Sequence, residues 1–123
     1  MSDVETTLQN LKERMAEFVR ERDWEQYHTP KNLSMSIAIE AAELMEHFQW
    51  LTPEASRTLD AAARQDVGEE LADIVIYALS LANALDYDLA DTVLAKMEKN
   101  ARKYPADQVR GKAHKYTYYL KDK

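Results

Sequence analysis

Between Asp66 and Leu85 the chain places apolar side chains where only a helix would gather them, and it spreads them over well over half of that helix's circumference. Leu71, Ile74, Val75, Ala78, Leu79, Leu81, Ala82 and Leu85 take up most of the wheel at about 100° per residue. Glu70, Asp73 and Tyr77 fall together in the narrow remainder, three and four residues apart. A surface helix has a polar face, whereas a helix apolar on most sides must be covered on most sides, by neighbours in a bundle or by another subunit. Two acids on such a helix therefore point into protein or into a pocket, not into open solvent.

The stretch from Leu33 to about Trp50 repeats the pattern. Leu33, Ile37, Ala41, Leu44, Phe48 and Leu51 form one apolar arc, and Met35, Ala38, Ile39, Ala42 and Met45 occupy the opposite side with Glu46 and Gln49 among them. Glu40, Glu43 and His47 share what is left. Two mostly apolar helices thus each carry an acidic pair on one narrow face.

The rest of the chain predicts further helices. Two Gly and three Pro in 123 residues leave little material for turns. Helices are expected over about 4–22, 33–50, 66–85 and 89–104, with a short one near 53–64: an all-α, four-helix-bundle-like single domain over residues 1–123. Pro30 disfavours the α region at Thr29 and marks a break, with Asn32 as cap of the second helix. Thr52 caps a helix that has Pro53 at its first position, and Asp88 caps the fourth. Residues 106–123, with Gly111, several Lys, Tyr116, Tyr118 and Tyr119, read as an ordered tail rather than a helix.

Carboxylates three apart on a helix stand side by side and can reach one ion. Four of them in a partly buried site repel one another and lose hydration, so either their pKa values rise or cations neutralise them. Oxygen ligands suit Mg²⁺ or Mn²⁺ rather than zinc, which favours His and Cys. A single E-x-x-E on a helix is usually just a solvated face. Two pairs on otherwise apolar helices shift the balance towards a metal site, and a solvated face stays open as the alternative.

The order of motifs resembles the MazG-like all-α nucleoside triphosphate pyrophosphohydrolases, in particular their dCTP pyrophosphatase branch. The likeness is carried by Arg22-Asp23-Trp24-Glu25-Gln26-Tyr27-His28, Pro30-Lys31-Asn32-Leu33, Glu40-Ala41-Ala42-Glu43-Leu44, Phe48-Gln49-Trp50 and Glu69-Glu70-Leu71-Ala72-Asp73 running on to Tyr77. Lys96-Met97, Asn100, Arg102, Tyr104-Pro105, Arg110-Gly111 and Lys115-Tyr116-Thr117 continue it, so it spans about residues 20–117. The resemblance implies that Glu40, Glu43, Glu70 and Asp73 bind Mg²⁺, with Mn²⁺ as a substitute, and that a (deoxy)nucleoside triphosphate is cleaved to the monophosphate and pyrophosphate. Glu43 is the candidate to take the proton of the attacking water. dCTP or a modified dCTP is the expected substrate, with dUTP or a range of non-standard dNTPs as the alternative.

Trp24, His28, Trp50 and Tyr77 lie in the matching blocks, where related enzymes line the nucleobase pocket. Flat rings stack on bases at about 1–3 kcal/mol each, and core packing is the competing reading for both Trp. Lys96 and Asn100, one turn apart on the fourth helix, and Lys115 in the tail are candidates for phosphate, sugar or base contacts.

Other readings are a di-iron carboxylate bundle and a non-enzymatic helical dimerisation module. The first needs E-x-x-H on two helices, and here that spacing occurs only at Glu25–His28, outside the helices. The apolar backs of the acidic helices predict a homo-oligomer, and the resemblance implies a tetramer built as a dimer of dimers. A net charge of −6 argues against a duplex nucleic-acid partner. The polar N-terminus, the missing cysteines and the lack of a long apolar run point to a cytoplasmic protein with no membrane segment.

Overall fold

A computed structural model describes residues 2–115, 117 and 120. Tyr116, Tyr118 and Tyr119 of the tail lie outside the described residues. Six helices follow one another: α1 (Leu8–Glu21), α2 (Pro30–Glu46), α3 (Pro53–Ser56), α4 (Ala61–Ala84), α5 (Leu89–Lys103) and α6 (Ala106–Val109). No strand occurs among the described residues, and no helix among them is long and apolar enough to cross a membrane. The all-α expectation holds. The chain forms two compact units, residues 1–87 and 88–123.

Local chemistry sets the helix boundaries, and several differ from the expected ones. α1 starts at Leu8 rather than near Val4, because the Thr7 hydroxyl accepts from the Asn10 N–H at 3.0 Å. α2 starts at Pro30, not Leu33. Thr29 is its cap, accepting from Asn32 N–H at 3.2 Å, and Pro30 takes the first helical position, where a missing N–H costs nothing. Asn32 is therefore inside the helix, its side-chain amide donating to the Tyr27 carbonyl at 3.0 Å. α2 ends at Glu46, so Trp50 lies in the turns beyond it.

α3 is capped by Thr52 as expected, but it is a single turn ending at Ser56 rather than a helix reaching about residue 64. α4 begins at Ala61, five residues before the expected start at Asp66, because Asp60 accepts from Ala63 N–H at 2.8 Å. Asp88 caps α5 as expected, through Asp91 N–H at 2.9 Å. In the tail the expectation of no helix is corrected at 106–109, where Pro105 is followed by the single turn α6.

In the first unit α4 packs along α2 and also against α1. Val19 of α1, Leu33 of α2, and Leu79 and Ala82 of α4 form the centre, each 2–7% exposed. Two hydrogen bonds fasten α1 to the end of α4: Asn83 Nδ2 donates to the Lys12 carbonyl at 2.9 Å, and Lys12 Nζ donates to the Tyr87 carbonyl at 2.6 Å. Both helices close in the same way. Asp23 (φ 54°) and Asp86 (φ 57°) adopt the left-handed conformation, and the next N–H reaches back into the helix, Trp24 to the Val19 carbonyl at 3.0 Å and Tyr87 to the Ala82 carbonyl at 2.9 Å. This turn throws the chain after α1 across to Trp24 and His28. The outer faces of α2 and α4 stay uncovered: Met35, Ile39, Met45, Leu71 and Val75 are 42–59% exposed.

In the second unit α5 carries its apolar residues on one stripe. Val93, Leu94 and Met97 on it are 45–60% exposed.

Candidate active site

Residues three and four apart on α2 and α4 meet where the two helices run side by side. Glu40 and Glu43 come from α2 and Glu70 from α4, and one carboxylate oxygen of each lies within 4.8 Å of the other two. The placement follows from the helical period: with the apolar residues on the inner and outer faces, the only sector left for the acids is the edge along which the helices meet.

The electrostatics are unfavourable as they stand. The Glu40 carboxyl is pushed from 4.5 up to about 7, first by burial, then by hydrogen bonds to Glu43 and Glu70 and by the charges of Glu43 and Asp73. Oε2 of Glu40 and Oε2 of Glu70 are buried and have no hydrogen-bond partner. A buried acceptor left unmatched costs about 1–3 kcal/mol. His47 Nε2, at the end of α2, stands 3.8 Å from Glu70 Oε1 and so borders the cluster. Orphaned hard oxygens from three carboxylates in one place are a donor set for a divalent cation such as Mg²⁺ or Mn²⁺. Asp73 stands outside the 4.8 Å group, yet close enough for its charge to act on Glu40.

About two to four turns along the same helices a cavity of about 470 Å³ opens. Its walls are Met15, Ala16, Val19 and Arg20 of α1, Glu25, His28 and Thr29 of the connecting loop, Pro30 of α2, and Ser80, Asn83 and Ala84 of α4. Tyr77, half-buried, sits between Asp73 and Ser80 on the same stripe of α4. Two polar atoms at the cavity are buried without partners, Ser80 Oγ and His28 Nδ1. Beside it Phe18, Trp24 and His28 form an aromatic run, with Trp24 edge-on to Phe18 at 5.8 Å and nearly parallel to His28 at 6.3 Å.

The structure thus gathers Glu40, Glu43 and Glu70, sets Asp73 and Tyr77 on the adjoining stripe, and puts His28 in the cavity wall with Trp24 against it. Trp50 is 88% exposed in the turns after α2, so it is not a core residue. Lys96, Asn100 and Lys115 belong to the second unit, all exposed. The cavity residues Met15, Arg20, Glu25, Ser80 and Asn83 carried no assignment from sequence. The available signal was polar Ser80 and Asn83 interrupting the apolar run of α4 on the side of Asp73 and Tyr77.

Residues 35–118 match the MazG-like family, and the chain belongs to that family. It is 45% identical over 118 residues to dCTP pyrophosphatase 1 of Bos taurus and 43% identical to dCTP pyrophosphatase 1 of Homo sapiens, in both cases over 92% of this chain and 68% of the relative. Among solved structures, a pyrophosphatase from Archaeoglobus fulgidus superposes with a TM-score of 0.76 at 40% identity, over 85% of this chain and 98% of that one.

Proposed function

We propose that this protein hydrolyses dCTP, or a modified dCTP, to the monophosphate and pyrophosphate in a Mg²⁺-dependent reaction. The observation that carries the reading is the carboxylate cluster of Glu40, Glu43 and Glu70 with two orphaned buried oxygens, standing at one end of a stripe that ends in a cavity, in a MazG-like chain. The dCTP pyrophosphatases similar to it supply the choice of base.

Glu40, Glu43, Glu70 and Asp73 would hold the cation. When bound, Mg²⁺ supplies positive charge to phosphate oxygens and lowers the pKa of a coordinated water. The protein's own part is positioning. An acidic cluster repels a bare triphosphate, so these residues admit the nucleotide only as a cation complex. Glu43 takes the proton of the attacking water. The new bond forms between the water oxygen and the α-phosphorus, the bond from that phosphorus to the α–β bridging oxygen breaks, and pyrophosphate leaves. The base lies in the cavity beside His28 and Trp24, with Tyr77 between it and the acids. Lys96, Asn100 and Lys115 meet phosphate and sugar, and the exposed Trp50 stacks on the base of a nucleotide held by a neighbouring copy of the chain.

The uncovered apolar faces of α2 and α4 are buried in a homo-oligomer, a dimer of dimers, because five large apolar side chains 42–59% exposed on two adjacent helices form the kind of patch that marks an interface. The partners are nucleotides and further copies of the chain, not nucleic acid, and the compartment is the cytoplasm.

The test is incubation with Mg²⁺ and a panel of canonical and modified NTPs and dNTPs, with products separated by anion exchange. Monophosphate and pyrophosphate, formed fastest from dCTP or a 5-modified dCTP, are expected. Diphosphate and orthophosphate, or no product with Mg²⁺ or Mn²⁺, contradict the proposal. A molar mass equal to one chain in light scattering contradicts the oligomer.

A further inference from the structure

The cavity has two charged groups on its walls, and they are of opposite sign. Arg20 projects from the last turn of α1 and Glu25 from the loop that the left-handed Asp23 sends across the end of that helix. Both residues are exposed, neither side chain has a hydrogen bond or an ion pair among the described residues, and both border the same 470 Å³ space, so each is free to meet a ligand that enters it. Around them the walls are apolar at Met15, Ala16, Val19, Pro30 and Ala84, suited to the faces of a flat ring. Deeper in, Ser80 is 6% exposed and its Oγ lacks a partner, as does His28 Nδ1. A cavity with apolar faces, a pure acceptor and a pure donor is built to read one polar edge.

The edge it fits can be worked out. A carboxylate only accepts hydrogen bonds and a guanidinium only donates them. Cytosine offers a donor, its 4-amine, next to two acceptors, N3 and O2. Uracil offers a carbonyl in place of that amine and an N–H in place of N3, so both of its groups would meet like with like. The reach also fits. Ser80 is seven residues beyond Asp73 on one helix, a rise of roughly 10 Å, which is of the order that a sugar places between the α-phosphate and the base.

We propose that Glu25 and Arg20 are the specificity-determining residues of this site, Glu25 accepting from the cytosine amine and Arg20 donating to N3 and O2. The inference rests on the cavity being the base site of the proposed pyrophosphohydrolase. It implies that discrimination against dUTP comes from polar mismatch, which separates substrates far more sharply than a lost methylene does. It also assigns the gap between α1 and α2 a purpose: the loop adds an acceptor to the cavity to which the helix end adds a donor.

The experiment is kcat/KM for dCTP and for dUTP, measured in parallel with the wild-type protein and with Glu25→Gln. A carboxamide can turn its NH₂ towards a carbonyl, so the dCTP-to-dUTP ratio is expected to fall by about tenfold or more, with dUTP gaining or holding while dCTP loses. A merely structural effect lowers both substrates together and leaves the ratio where it was. Arg20→Met is expected to lower the ratio as well, through loss of the donor to N3 and O2. An unchanged ratio in Glu25→Gln overturns the inference while leaving the activity intact, as does a wild-type protein that cleaves dUTP as well as dCTP. A wild-type protein that cleaves neither overturns the reaction itself, so the two failures are distinguishable.

Discussion

The two ends of the edge along which α2 and α4 meet share α4 and differ sharply in charge. At one end three carboxylates crowd within 4.8 Å and two of their oxygens are buried without partners. At the other, apolar side chains, a hydroxyl and an imidazole line an open cavity whose two charged groups carry opposite signs. Like charges crowd the acid end, and the cavity end carries no such concentration of one sign. That division is what a metal–nucleotide complex requires: cations and phosphates where negative charge is concentrated, a neutral ring where it is not. α4 runs through both, because its stripe changes from acid at Glu70 and Asp73, through Tyr77, to Ser80 and Ala84, while α1 and the 25–29 loop add most of the cavity's other walls.

The largest expected effects lie at the acid end. Glu40→Gln and Asp73→Asn should each lower kcat for every nucleotide by on the order of a hundredfold or more, a loss that even outer-shell metal contacts can carry, while circular dichroism keeps its helical form. Near-wild-type turnover in either would erase the distinction between the ends. Stability should respond in the opposite sense at the two places. Leu79→Ala, in the packed centre close to the cavity and 2% exposed, should lose about 2–5 kcal/mol in urea unfolding. Glu40→Gln in cation-free buffer at pH 8 should be at least as stable as the native chain, because it removes a charge that its neighbours oppose.

The pH dependence sharpens the contrast further. The folded Glu40 carboxyl titrates near 7 against 4.5 ordinarily, so between those values the folded state binds more protons than the unfolded one. Stability of the cation-free protein from this group is therefore full below about 4.5 and is lost as pH rises through about 7. Thermal melts in EDTA should fall across that window. Saturating Mg²⁺ should flatten or reverse the slope, because it takes the place of the proton. A cation-free melt that rises over the same range would contradict the crowding. The smallest stability change is expected at Trp50→Ala, within about 0.5 kcal/mol for an 88% exposed side chain, with KM for the nucleotide raised. A much larger loss of stability would show that assembly covers that ring.

The acid end was legible because it depends on one periodicity. Glu40 with Glu43 and Glu70 with Asp73 each sit within a single helix, and the apolar residues around them leave only one sector free. The cavity was not legible because its walls come from four separated segments: the end of α1, the 25–29 loop, the start of α2 and the end of α4. Trp24 and His28 were singled out only through the family resemblance, and Glu25 passed as part of a motif. Boundaries slipped where a cap competed with a breaker. Thr29-Pro30 has the same chemistry as Thr52-Pro53, a hydroxyl cap followed by Pro at the first helical position, but Pro30 also restricts the residue before it, and that effect masks the helix it starts. At the start of α4, Ala61–Gln65 shows no amphipathic period, and the helix is marked instead by the Asp60 cap and three successive alanines.

The reaction assigned to the acid end is tested most directly by following dCTP in EDTA and again after Mg²⁺ is restored in excess. The account predicts no turnover without the cation and its full return afterwards, with dCMP and pyrophosphate as the products. Equal rates in the two conditions would contradict it, because the Glu40–Glu43–Glu70 cluster would then be accepting a bare triphosphate.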